Sequence, residues 1–452
     1  MTPSPLGWLG TLRLALVQAA LGAVVVLTTS TMNRVMVVEL ALPAMLPGAL
    51  VALHYAVQML RPRLGYGSDV GGRRTPWIVG GMAVLAAGGI TAAVAVAWMA
   101  ADPAAGIALA VLAFVLIGLG VGACGTSLLV LLATSVAPGR RAAAATLAWV
   151  MMIVGFIVTA TVAGHFLDPF SPARLVAVTS GVAVAAFAVA VLAVWNVEPR
   201  VRAAPGGQAA PERTGKPPFR EAFREVWAEP LARRFTVFVF VSMLAYSAQD
   251  LILEPFAGAV FGLSPGESTR LSGVQNAGVL AGMLLVGVAG SAWASRRFGS
   301  MRLWAIGGCA ASAAALFALA LAGFVGPAWP LRASVFALGA ANGAFAIAAI
   351  GAMMGYVSEG RAAREGVRMG VWGAAQAIAF GAGGFAGTAA VDAARWLFGS
   401  PLPAYASVFA AEAVLFLAAG ALALQLGKPT AAHPRSAFAR PSGGAIAGIA
   451  QR

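Results

Sequence analysis

The chain has 452 residues, of which 60% are hydrophobic and only 10% are charged. A soluble globular protein carries about 25% charged residues, so this composition excludes a water-covered enzyme, a disordered chain and, despite a net charge of +14, a nucleic-acid binder. With a mean hydropathy of +0.85 the chain reads as an all-α, polytopic membrane protein. Two cysteines, Cys124 and Cys309, lie in apolar runs and leave no room for a disulfide framework.

A bilayer core needs about 20 apolar residues per helix. Twelve segments meet this, at 12–33, 43–61, 76–100, 105–136, 142–165, 173–195, 235–257, 270–294, 302–325, 331–356, 368–391 and 404–426. They are continuously apolar rather than alternating, which excludes a β-barrel. Their many Gly and Ala residues suit closely packed membrane helices. The first run is longer than a signal-peptide core and no basic stretch precedes it, so it is expected to stay with the protein. With the N-terminus in the cytoplasm, 25 of the 30 Lys and Arg residues fall on the cytoplasmic side and 5 on the other. That asymmetry predicts both termini to be cytoplasmic.

The longest loop predicts a division of the chain. Residues 1–195 form a first six-helix half and 235–426 a second, with a cytoplasmic linker at 196–234 and a disordered tail at 427–452. The linker begins Pro- and Gly-rich. It continues with Phe219, Phe223, Val226 and Trp227 on one helical face, interrupted at Pro230. That short amphipathic helix lies on the membrane surface or packs on the protein's own cytoplasmic ends. Two parallel six-helix repeats are the major facilitator arrangement. Between spans 2 and 3, Gly65, Asp69, Gly72, Arg73 and Arg74 stand as G-x3-D-x2-G-R-R. This resembles the major facilitator signature at the same loop. The resemblance implies a cytoplasmic latch between the halves, with Asp69 set against the positive N-terminal end of span 11 near Arg368. The second-half counterpart at Arg296-Arg297-Phe298-Gly299 lacks the acid.

A second polar constellation lies at the outer ends of spans 1 and 7: Asn33, Arg34 and Glu39 on one, Gln249, Asp250 and Glu254 on the other. Charges at such depth are expensive and are usually paired or functional. Arg34 and Asp250 occupy matching positions in the two repeats. Arg34 is therefore expected to pair with Asp250 or Glu254, unless each charge snorkels separately; Glu39 is a competitor on the same segment.

The strings TSTMNRVMVVELALPA and YSAQDLILEPFAGAVFG resemble the PucC/LhaA family, the bacteriochlorophyll-delivery branch of the major facilitator superfamily. The likeness runs over spans 1–12. Because Asp69 is followed directly by VGGRRTPW, the chain is most similar to the shorter members associated with bacteriochlorophyll-biosynthesis genes. The resemblance implies a non-enzymatic membrane factor of phototrophic bacteria that handles bacteriochlorophyll or a related tetrapyrrole. It implies residence in the inner, cytoplasmic or intracytoplasmic, membrane. It also implies lipid, pigment-synthesis enzymes and light-harvesting or reaction-centre polypeptides as partners, and no obligatory cofactor.

Histidine is a natural axial ligand for the magnesium of such a pigment. His54, in mid-span and one turn before Gln58, is the candidate pigment-binding residue. A hydrogen bond to a neighbouring helix or proton coupling are its other readings. His165 beside Asp168 reads as interfacial and His433 lies in the tail. Gln275, Asn276, Asn342, Gln376 and Glu412 read as helix–helix glue. No GxxxxGK[ST], HExxH or Ser/His/Asp set is present, and no metal site is expected. The alternatives to pigment delivery are a secondary transporter of a small solute and a non-transporting scaffold.

Overall fold

The structure, a computed structural model, describes residues 6–61, 64, 73–137, 140–198, 224, 227–289, 301–359 and 365–426. Among these, twelve long helices carry the fold: α1 (Trp8–Glu39), α2 (Met45–Gln58), α3 (Thr75–Met99), α4 (Pro103–Ser135), α5 (Arg141–Phe166), α6 (Pro172–Val194), α7 (Pro230–Phe261), α8 (Pro265–Ala289), α9 (Met301–Val325), α10 (Leu331–Glu359), α11 (Glu365–Phe398) and α12 (Pro401–Leu424). No strand occurs among the described residues. Eleven of the helices are long and apolar enough to cross a membrane, and α2 is a shorter apolar helix.

Helix starts follow local chemistry. Asp102 accepts the Ala105 amide at 3.1 Å at the head of α4, and Ser171 accepts the Arg174 amide at 3.1 Å at the head of α6. Both caps are followed by a proline at the first turn, where its missing N–H costs nothing.

The largest departure from expectation is in α1. It begins at Trp8 rather than residue 12 and continues to Glu39 through two π turns, Leu27–Thr31 and Val35–Glu39. Such turns are rare and concentrate at functional positions. Helix α8 also starts earlier than expected, at Pro265, and α11 runs on to Phe398.

The buried apolar residues form two main cores. One is built almost wholly from α1–α6, the other from α7–α12. Within the second half, glycine brings two backbones together. A Cβ on Gly278 or Gly282 would collide with the Phe336 and Ala340 carbonyls of α10. A Cβ on Gly339 or Gly343 would collide with the Gln275 and Val279 carbonyls of α8. The side chains are absent on both helices where they cross, so the small-residue rows Gly278/Gly282 and Gly339/Gly343 set the approach. Both cysteines are free and buried.

Helices alternate in direction, which gives the bundle two ends. The end holding the starts of α1 and α7 is called proximal below, and the opposite end distal. The predicted amphipathic linker helix lies largely outside the described residues, as does the tail.

Candidate functional site

Toward the distal end, a set of hydrogen bonds joins the two halves. The Ser30 hydroxyl of α1 donates to Glu254 Oε1 of α7 at 2.6 Å and lies 3.3 Å from the Ser272 hydroxyl of α8. Thr31 and Thr269 meet at 3.0 Å. Asn33 donates to the Leu251 carbonyl, and Arg34 to the Leu263 carbonyl at 2.6 Å. A second link joins α2 to α11: the Ala44 and Met45 amides donate to the Asp392 carboxylate at 2.9 and 2.7 Å. A third joins α5 to α8. There Asp168 accepts Ser264 Oγ at 2.7 Å and pairs with Arg270 at 3.2 Å, and Arg270 also donates to the Gly164 carbonyl at 2.8 Å. The halves are sealed at one end.

Within this seam the expected pairing of Arg34 with Asp250 or Glu254 is not made. Arg34, 2% exposed, forms its ion pair with Glu39 of its own helix. The cause is the π turn. Residues five apart sit about 140° from each other around a regular α-helix, but a π turn closes i to i+5, as in the Leu40 amide to Val35 carbonyl bond of 3.0 Å. That winding aligns positions 34 and 39. Glu254 is 2% exposed and its Oε2 has no hydrogen-bond partner; neither amide atom of the fully buried Gln249 has one.

Asp250 has a different partner. It accepts Gln275 Nε2 at 3.3 Å and lies within electrostatic reach of Tyr55, Tyr246 and Glu412. Phe380 of α11 packs against Tyr55 of α2, with ring centroids 5.7 Å apart, and against Tyr246 of α7 at 5.8 Å. These half-buried aromatic rings form a second, mid-membrane contact between the halves. Glu412 of α12 is 3% exposed, with both oxygens unpartnered.

The ring of His54 is 2% exposed, and its Nε2 lies 2.6 Å from Gln58 Nε2. Gln58 in turn accepts from Arg61, so the three residues form one chain along α2. Gly118 of α4 packs on the His54 carbonyl. The other ring nitrogen, Nδ1, is buried without a hydrogen-bond partner. His165, in contrast, is exposed at the distal end of α5. His433 lies outside the described residues.

Of the expected latch, Gly65, Asp69 and Gly72 lie outside the described residues, as does the Arg368 side chain. The other end of the motif is visible and meets an acid the sequence reading did not single out. Glu198, just beyond α6, accepts the backbone amides of Arg74 and Thr75 (the latter at 3.0 Å) and lies 3.9 Å from Arg73 Nε. It therefore caps α3. Burial alone would raise this carboxyl, but the two amides and the Arg73 guanidinium outweigh it and hold it below its ordinary value.

Sequence reading also missed Asp392, Tyr55 and Phe380. A lone acid near a helix end and lone aromatics in apolar runs carry no pattern that marks a helix contact. No group of three or more His, Cys, Asp or Glu able to hold a metal ion occurs among the described residues.

Two packed six-helix halves with one closed end define a multi-pass membrane protein of the major facilitator fold. Solved transporters share it at low identity. A bacterial homolog of the human lysosomal transporter Spinster, in an inward-facing unoccupied conformation, aligns with a TM-score of 0.62 at 16% identity, covering 92% of this chain and 95% of that one. The nucleoside transporter NupG aligns at 0.66 and 14% identity, covering 93% and 100%. The chain belongs to the PucC family, whose model, described as PUCC protein, matches residues 31–431. Among its relatives, the "Bacteriochlorophyll synthase 44.5 kDa chain" of Rhodobacter capsulatus is 54% identical over 92% of this chain and 95% of its own length. The Protein PucC of Cereibacter sphaeroides is 33% identical over 82% and 80%.

Proposed function

We propose that the protein is a membrane delivery factor that handles bacteriochlorophyll, or a related tetrapyrrole, for the assembly of photosynthetic pigment–protein complexes. The observation that carries this reading is the 54% identity, over 92% of the chain, to a relative named as a chain of bacteriochlorophyll synthase. That name would also suit an enzyme subunit. The placement of the buried polar groups supports handling instead: Ser30, Asn33, Arg34 and Glu254 are spent on closing the seam between halves. On this reading the protein resides in the bacterial inner or intracytoplasmic membrane. Its proximal face and both termini are cytoplasmic, as the distribution of Lys and Arg favours. Its partners are lipid, pigment-synthesis enzymes and light-harvesting or reaction-centre polypeptides.

A second reading, secondary transport of a small solute, is favoured by one observation. The halves are joined at the distal end and touch again at mid-depth, where Tyr55 meets Phe380 beside Tyr246 and the buried acid Asp250. Purification in mild detergent from a pigmented host separates the two. Delivery predicts a co-eluting tetrapyrrole absorption band and a deletion strain poor in pigment–protein complexes. A colourless protein and a deletion strain with normal complexes would overturn it.

A further inference from the structure

Helices α5 and α6 border a groove of about 700 Å³ near their distal ends, and one of its rim residues, Asp168, also belongs to the α5–α8 link between the halves. That volume falls within the roughly 300–1,000 Å³ of ordinary ligand sites. Its walls are apolar: Val162 and Phe166 from α5, Val178 and Val182 from α6. Val162 and Phe166 are exposed, so the open side of the groove faces the bilayer. Gly181 forms part of the lining, and nothing lies within 4 Å of where its Cβ would be. Polar groups gather only at the distal rim, where His165, Asp168 and Arg174 stand.

The three rim residues are in different states. Asp168 is engaged by Ser264 and Arg270. Arg174 uses Nη1 on the Pro169 carbonyl at 2.9 Å and keeps its other N–H groups. His165 makes no hydrogen bond or ion pair among the described residues; its ring touches only that of Phe166, edge-on at 5.7 Å. An imidazole without a protein hydrogen-bond partner, set beside an apolar, bilayer-facing recess, is chemically suited to ligate a metal.

An acyl chain would fill the walls but would have no use for the imidazole. A flat magnesium macrocycle with an esterified apolar tail uses every part. The ring nitrogen of His165 donates its lone pair to the magnesium. The walls take one face of the macrocycle, Arg174 donates to carbonyl oxygens at its edge, and the tail leaves through the open side into lipid. We propose that the groove between α5 and α6 is the pigment-loading site and that His165 is the axial ligand of a magnesium chlorin. The proposal rests on the delivery reading above. It places the cargo on the lipid-facing surface rather than between the halves, where a neighbouring membrane protein can take it without the seam opening.

The test adds bacteriochlorophyll to the purified full-length protein in detergent. It measures pigment per protein and the absorption shift on binding for the wild type, His165→Leu, Gly181→Phe and the control Val189→Phe on the exposed face of α6. His165→Leu removes the ligand and should lower retained pigment by about tenfold or more. Gly181→Phe fills the groove without touching the ligand and should do the same, while Val189→Phe behaves as wild type. Both variants keep apolar surfaces toward lipid, and their circular dichroism should match the wild type. A wild type that binds pigment while His165→Leu and Gly181→Phe retain it at wild-type stoichiometry overturns the groove and leaves the delivery reading standing. A wild type that binds no pigment overturns both. Native mass spectrometry showing phospholipid alone in the groove in the presence of excess pigment likewise overturns the assignment.

Discussion

Glu254 of α7 accepts the Ser30 hydroxyl of α1 at 2.6 Å, across the seam between the two halves. The Ser268 and Ser272 hydroxyls and the Arg34 guanidinium also lie within reach of this carboxyl. Ser30→Ala removes the hydrogen bond that crosses from α1, a loss of about 1 kcal/mol. The melting temperature in detergent should fall, and Ser30→Thr, which keeps the hydroxyl, should restore most of it. An unchanged melting temperature for Ser30→Ala would mean the contact does not hold the seam.

Arg34 depends on Glu39 for its counter-charge. Glu39→Gln leaves a guanidinium that is 3% exposed without its acid. Breaking a fully buried pair costs about 3–5 kcal/mol. The loss here should be smaller, because the Glu39 side chain is 35% exposed. The double variant Arg34→Gln/Glu39→Gln should be more stable than Glu39→Gln alone, since no orphan charge remains. Equal stability of the two variants would refute this coupling.

Gly282 has no room for a side chain against the Ala340 carbonyl of α10. Gly282→Leu should drive α8 and α10 apart and sharply lower the amount of monodisperse protein recovered from membranes. Gly307→Leu, at a glycine with open space around it, is the matched control and should be recovered as wild type. Similar yields of the two proteins would show that the α8–α10 approach is not limiting.

Glu198 links stability to pH. Its carboxyl is held below the ordinary glutamate value of 4.5, so its contribution is complete above that value. The contribution is lost as pH falls through the lower folded-state value. Glu198→Gln should therefore reduce thermal stability at neutral pH, and the gap from wild type should close on acidification below about pH 4. A gap that stays constant down to that range would assign the loss to packing rather than to charge.

The transmembrane pattern was legible because it is a property of long averages: about 20 apolar residues per crossing survive any local irregularity. The glycine rows Gly278/Gly282 and Gly339/Gly343 were legible too, since absence of a side chain is itself the signal. The polar cluster at the ends of α1 and α7 was visible as a set of residues, with Glu39 as a competitor for Arg34, but which acid wins was not. Periodicity assumed 3.6 residues per turn, and the π turn at Val35–Glu39 changed which residues meet. Asp392 and Glu198 were invisible for another reason. Each serves backbone amides far away in sequence, and backbone amides leave no trace in residue identity. The groove at His165 arises from the angle between two helices, which no single segment encodes.

The pairing of Arg34 with Glu39 has a consequence for how the chain is made. The two residues are five apart in one helix, and synthesis proceeds from the N-terminus. The cation therefore meets its anion as soon as the first helix emerges, and α1 is handed to the bilayer already neutralised. Had Arg34 relied on Asp250, it would have waited, bare, while the entire first half was translated. The N-terminal bundle can thus be threaded into the membrane with this buried cation already paired, and the second half, arriving later, adds the bonds to Ser30, Thr31, Asn33, the Ala44 and Met45 amides and Asp168.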